Sequence, residues 1–262
     1  MRIYKILRIL VLTLFTCTLV ACSHSANTAK LKNSYSQQEV NTLFKKAEVL
    51  FDEDKPKEAY KILKQLAEQG DAKSQNSLGN GYEYGYWGEV DLAQAEFWYG
   101  KSSQQNNIIG IHNLGTILFL KNQHEKALPY FQKAASLNYP DSINMLGVYY
   151  SEGIVFKQDY NKALEYFHQA AKQNNRDAQF NIGQVYYYGE GKTQDYIMAY
   201  EWYIKSADQD YSLAQIQLAE MYFSGKGVEK DVAKAIEIIK PLAELGDEKA
   251  KSNLQWYLDH PN

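Results

Sequence analysis

From residue 38 onward the apolar positions recur with helical spacing. An alanine returns at Ala59, Ala95, Ala127, Ala163, Ala199 and Ala235, at intervals of 36, 32, 36, 36 and 36 residues. Three residues later stand Ile62, Trp98, Tyr130, Tyr166, Trp202 and Ile238; four later stand Leu63, Tyr99, Phe131, Phe167, Tyr203 and Ile239. Eight later the residues are small: Ala67, Ser103, Ala135, Ala171, Ala207 and Ala243. Offsets 0, 3, 4 and 8 lie on one helical face, so the pattern predicts a helix, B, repeated six times with its aromatic stripe in the core. A second block precedes each B helix. Leu78-Gly79, Leu114-Gly115, Leu146-Gly147, Ile182-Gly183 and Leu218-Ala219 are each followed by Tyr82, Leu118, Tyr150, Tyr186 or Tyr222. This predicts helix A, whose small residue admits a close neighbour despite a propensity cost of about 1 kcal/mol for Gly.

Between A and B run loops that open on Gly153, Gly189 and Gly225 and end on Asp159, Asp195 and Asp231. The glycines are expected to end helix A with positive φ, and each aspartate to cap helix B. The unit that starts at Ala95 is four residues short and must close with a tighter turn at 121–124. Pro129 and Pro241 fall inside B helices, where a kink or irregular turn is expected.

These motifs resemble the Sel-one-like repeat, a relative of the tetratricopeptide repeat. The last units carry them best, as Leu218-Ala219-x-x-Tyr222 followed by Gly225-Lys-Gly227-Val228-Glu-Lys230-Asp231. The 32-residue unit and the opening hairpin, with its turn at Asp52-Glu53-Asp54-Lys55, look more like tetratricopeptide units. The resemblance covers residues 38–262 and implies an all-α fold, a right-handed α-solenoid of about six helix-turn-helix repeats of roughly 36 residues.

The first residues read as an address. Arg2, Lys5 and Arg8 precede a short apolar run from Ile9 to Ala21, as in a secretory signal peptide. Leu19-Val20-Ala21-Cys22 resembles a bacterial lipobox, which implies a signal peptide over 1–21 and diacylglyceryl transfer to Cys22. Ser23 after the cysteine favours, by the same resemblance, the outer membrane with the body facing the periplasm. Residues 22–37 are polar and aperiodic, the composition of a tether, so the repeat domain is read as 38–262.

Charge and composition narrow the function. Removing three basic residues of 28 leaves 25 against 31 acids, a formal −6. Such a body has no basic excess to neutralise phosphates, so no nucleic-acid partner is expected. Both cysteines, Cys17 and Cys22, lie outside the repeats, which excludes thiol chemistry there. No Gly-x-Ser-x-Gly and no Ser-x-x-Lys is present, and the five histidines lack metal-ligand spacing. No catalytic residue, metal or cofactor is therefore expected.

Binding is expected instead on the second face of helix A, at offsets −3, +1 and +4 from the small residue. In tetratricopeptide relatives that face lines a concave groove. The residues it implies are Asn76, Asn80 and Glu83, then His112, Thr116 and Phe119, then Asn144, Val148 and Ser151. Further along they are Phe180, Gln184 and Tyr187, with Tyr188 at the edge, then Ile216, Glu220 and Phe223. Amides dominate the first half. Phe180, Tyr187, Ile216 and Phe223 are read as an exposed apolar anchor cluster in the second. The expected function is a non-catalytic protein-interaction module and not an enzyme: a monomeric adaptor or scaffold in envelope assembly, secretion or regulation, held to the membrane by its acyl chains. The alternative is an immunity protein that neutralises a secreted antibacterial effector such as a lipase. A β-lactam or cell-wall hydrolase fits least.

Overall fold

The computed structural model describes residues 35–260. Among them are thirteen α-helices and no strand: α1 (Gln37–Asp52), α2 (Pro56–Glu68), α3 (Ala72–Glu83), α4 (Leu92–Gln104), α5 (Ile108–Leu120), α6 (His124–Ser136) and α7 (Pro140–Ser151), then α8 (Tyr160–Ala171), α9 (Arg176–Tyr188), α10 (Tyr196–Ala207), α11 (Ser212–Ser224), α12 (Val232–Glu244) and α13 (Glu248–Asp259). The readings at 1–34, including the signal peptide, Cys22 and most of the tether, lie outside the described residues. Helix α1 starts at Gln37, where Ser36 and Glu39 form a reciprocal capping box.

The described residues form two compact units, divided between Gln158 and Asp159. The N-terminal unit holds α1–α7 and the C-terminal unit α8–α13. The B helices are α2, α4, α6, α8, α10 and α12. Every offset-0 alanine is fully buried and every offset-4 side chain is in the core. Offset 3 is only half-buried. A third row is buried at offset 7 (Leu66, Ser102, Ala134, Ala170 and Ser206, all 0% exposed), with Leu242 half-buried in the last unit, and the expected offset 8 is buried at Ala67, Ser103 and Ala243. Offsets 0, 4 and 7 form the narrower seam that closely spaced helices require.

The small residue of helix A serves the offset-4 ring. A Cβ on Gly79 would lie 2.4 Å from the Tyr99 ring, and one on Gly183 2.5 Å from Tyr203. On Gly115 it would lie 3.0 Å from Phe131.

Each turn from B to the next A rests on a rule hidden in the sequence. Eleven residues after the offset-0 alanine stand Gly70, Asn106, Asn138, Asn174, Asp210 and Gly246, all with positive φ, between 56° and 100°. Gly, Asn and Asp are the residues that tolerate this conformation. The next residue then caps helix A where it can: Asp71, Asn107, Asn175 and Asp247 accept from the N–H of Ser74, Gly110, Ala178 and Ala250. The expected B-helix caps form too, at Asp159, Asp195 and Asp231, and Asp91 caps α4 in the same way.

The expected irregular turn does not form at Pro129 or Pro241. Helices α6 and α12 run unbroken through both. Each proline is exposed, so the carbonyl it leaves unpaired can turn to water.

Candidate partner-binding face

In the N-terminal unit the A-helix face forms a hydrogen-bonded polar row. Asn113 Nδ2 of α5 donates to Asn76 Oδ1 (3.0 Å) and Asn80 Oδ1 (3.2 Å) of α3. The single proton of the Tyr99 hydroxyl of α4 is shared between Asn80 Oδ1 (2.7 Å) and the Glu83 carboxylate. Burial raises the Glu83 pKa, and the hydrogen bond from Tyr99 opposes the rise. The row holds groups in reserve. The Asn80 amide protons, the Asn113 carbonyl and one Glu83 oxygen make no other hydrogen bond among the described residues. Asn80, Glu83 and Asn113 are half-buried, and Asn76 is buried.

His112 and Thr116 belong to the next junction. His112 Nδ1 pairs with Ser142 Oγ (2.9 Å), and its ring lies against Phe131 and Tyr139. Burial pulls the imidazole pKa down to about 4, against the opposing pull of Asp141. Thr116 Oγ1 donates to the His112 carbonyl. Phe119 packs edge-on against His124 at 4.6 Å and beside Tyr149. Asn144 and Ser151 are buried, and Val148 is half-buried. His112 and Phe119 thus join helices, while Thr116 and Ser151 spend their hydroxyls on carbonyls of their own helices.

The C-terminal unit corrects the anchor cluster. Ile216 is 1% exposed and Tyr187 7%; both are core, not surface. Ile216 packs with Ala235, Ile239, Ala250 and Tyr257, and Tyr187 with Tyr203, Leu218 and Met221. Phe180 lies between Tyr203 (5.5 Å) and Tyr211 (5.3 Å). Phe223 stacks on Tyr257 at 4.4 Å. Burial of apolar area draws these side chains inward: α10 and α11 cover Phe180 and Tyr187 of α9, and α13 supplies a cover for Ile216 and Phe223 that helix-wheel geometry on α11 alone omits. That cover is Tyr257, whose hydroxyl donates to Glu220 (3.2 Å). Its neighbour Trp256 is exposed and stacks on His260. Gln184 is half-buried. None of the residues read as anchors is exposed, whereas Tyr188 at the edge of the face is, at 56%.

The sequence reading also passed over Asn113 and the Tyr99 hydroxyl. Tyr99 was legible as core, and its polar end followed from burial, since a buried phenol needs a partner. Asn113 lies one position beyond an offset assigned to the face, and only tertiary contact brings it to Asn76. Among the described residues no three His, Cys, Asp or Glu side chains gather as a metal site. No described helix is long and apolar enough to cross a membrane.

The geometry is that of an all-α repeat solenoid with a polar face on its N-terminal A helices. A profile of the Sel1 repeat matches residues 52–71, 72–107, 111–139, 140–175, 176–211 and 212–247, so the chain belongs to the Sel1 repeat family. The sel1-like repeat-containing protein L21 of Acanthamoeba polyphaga mimivirus is 39% identical over 89 residues, 34% of this chain. The match spans only 17% of that viral protein. Among solved structures, c5321, a protective antigen of uropathogenic Escherichia coli with an SLR fold, is 34% identical with a TM-score of 0.58. The match covers 74% of this chain and 43% of that one. A Sel1 repeat protein from Oxalobacter formigenes is 26% identical with a TM-score of 0.67, over 79% of this chain and 86% of its own. The immunity protein Pa5087 from Pseudomonas aeruginosa shares the fold at 23% identity and a TM-score of 0.54, over 72% and 73% of the two chains.

Proposed function

We propose that this chain is a non-catalytic adaptor that holds a protein partner on the A-helix face of its N-terminal unit. The observation that carries the reading is the Asn76–Asn113–Asn80–Tyr99–Glu83 row with its unspent donors and acceptors. Side-chain amides fixed by one another lose little entropy on binding, so their remaining groups are preorganised for a partner. Membership of a repeat family agrees with a scaffold role. The lipobox-like segment adds that the adaptor is anchored through Cys22 in the outer membrane and works in the periplasm.

The test compares partner capture by the wild-type chain and by Asn80→Ala/Asn113→Ala, with bound proteins identified by mass spectrometry. A partner enriched on the wild type and lost on the variant supports the reading; equal capture overturns the assignment of the face. A captured protein that is toxic when produced alone in the periplasm would make the chain an immunity protein. Pa5087 shares only its fold with this chain, so that role rests on the toxicity result. Incorporation of labelled palmitate that disappears in Cys22→Ser tests the anchor.

A further inference from the structure

In the C-terminal unit three lysines gather around His168 and the neighbouring Trp202. Trp202 of α10 has the His168 ring of α8 against its edge at 5.4 Å. Lys205 Nζ sits 4.0 Å over the Trp202 ring, and Lys192 Nζ lies 6.0 Å from the centre of the Tyr186 ring. Lys172 caps the C-terminal end of α8. Burial holds the His168 imidazole below its ordinary pKa, and Lys192, Lys172 and Lys205 all push it the same way. The three lysines are exposed, and Trp202 and His168 are half-buried.

None of the three ammonium groups forms an ion pair or hydrogen bond among the described residues. Glu201 stands one turn before Lys205 on α10 and does not pair with it. The N-terminal unit supplies an internal comparison. Lys133 holds the register position of Lys205, but its Nζ donates to Asn106 Oδ1 at 2.7 Å. Lys101 holds it too and lies over the Phe97 ring at 5.5 Å, so a lysine beside an aromatic ring recurs at this register, whereas three lysines around one imidazole occur in the C-terminal unit.

We propose that this face, centred on Trp202, docks a short acidic segment of a protein partner. The charge of the whole chain selects that occupant over a broad polyanion. With 31 acidic against 28 basic residues, the molecule as a whole repels an anionic bilayer or a duplex. A short segment feels only charges within a Debye length, about 8 Å at physiological salt, and the charges that act on His168 in this face are Lys192, Lys172 and Lys205. An indole flanked by cations also has the composition of an interface anchor.

The test titrates the full chain with a fluorescein-labelled, glutamate-rich decapeptide and follows anisotropy at 50 and 300 mM salt. The wild type should bind, and more weakly at high salt. Lys172→Gln/Lys192→Gln/Lys205→Gln, all at exposed positions, should raise Kd at least tenfold with unchanged helicity. The Asn80→Ala/Asn113→Ala variant should bind the decapeptide as the wild type does, which separates this face from the polar row. Absence of binding, or binding indifferent to the three lysines, overturns the proposal. So does lysine-dependent binding to phosphatidylglycerol vesicles without binding to the decapeptide, which would make the face a lipid site.

Discussion

Tyr99 and Tyr203 occupy the same place in the repeat and meet different fates. Both rings press onto the glycine of the preceding A helix. The Tyr99 hydroxyl finds Asn80 and Glu83. The Tyr203 hydroxyl is buried without a partner, because the corresponding positions hold Gln184 and Tyr187, and the Tyr187 ring packs beside it at 6.3 Å. Around them the scaffold repeats faithfully. Ser102 and Ser206 each donate to the first helical carbonyl of the preceding A helix, at Ala72 and Arg176. Gln105 pairs with Gln75 as Gln209 pairs with Gln179. Tyr60 pairs with Tyr82 as Tyr200 pairs with Tyr222. The difference teaches that the inter-repeat clasps are common property, whereas the A-helix face is polar in one unit and turned inward in the other.

The comparison breaks most readily at the aromatic face. Tyr187→Ala with Phe223→Ala should destabilise the C-terminal unit by about 3–5 kcal/mol per ring, read as loss of helicity in urea. A melting curve like that of the wild type would return those rings to the surface. Next, Gly79→Ala and Gly183→Ala should each cost about 1–3 kcal/mol, since both insert a methyl into a ring at nearly the same distance. Unequal costs would mean that the two scaffolds differ in how far the ring can retreat.

The hydroxyls give a smaller and sharper test. Tyr99→Phe should destabilise by about 1–2 kcal/mol, because it strips Asn80 and Glu83 of a donor. Tyr203→Phe should be neutral or stabilising, because it removes an unpaired buried hydroxyl. Denaturant midpoints of the two variants should therefore move apart.

The smallest effect concerns pH. His112 is held neutral by burial, with its folded pKa lowered to about 4 from the usual 6.5. Between these values the unfolded chain binds the extra proton, so stability falls as pH drops from about 6.5 toward 4. His112→Asn should flatten that part of the stability profile in urea titrations at pH 7.5 and 5.

Much of this was legible in the chain itself. The 36-residue period, the offset-4 core and the aspartate caps need only local geometry, because 3.6 residues per turn and a side-chain acceptor ahead of a helix act within a few residues. The positive-φ row from Gly70 to Gly246 was equally legible, since all six residues are Gly, Asn or Asp at one fixed offset. The candidate site was half legible. Asn76, Asn80 and Glu83 fall where helix periodicity puts them, but their partner Asn113 comes from 33 or more residues away.

The sequence by itself determined the repeat, the helices and the turn chemistry, all set by short-range sterics and hydrogen bonding. Tertiary structure alone decided which side of helix A faces water. Tyr257 of α13 buries Phe223, and Tyr203 and Leu218 bury Tyr187, because an apolar face closes against whatever helix packs upon it. That choice depends on side chains distant in the chain, which no periodicity within one helix encodes.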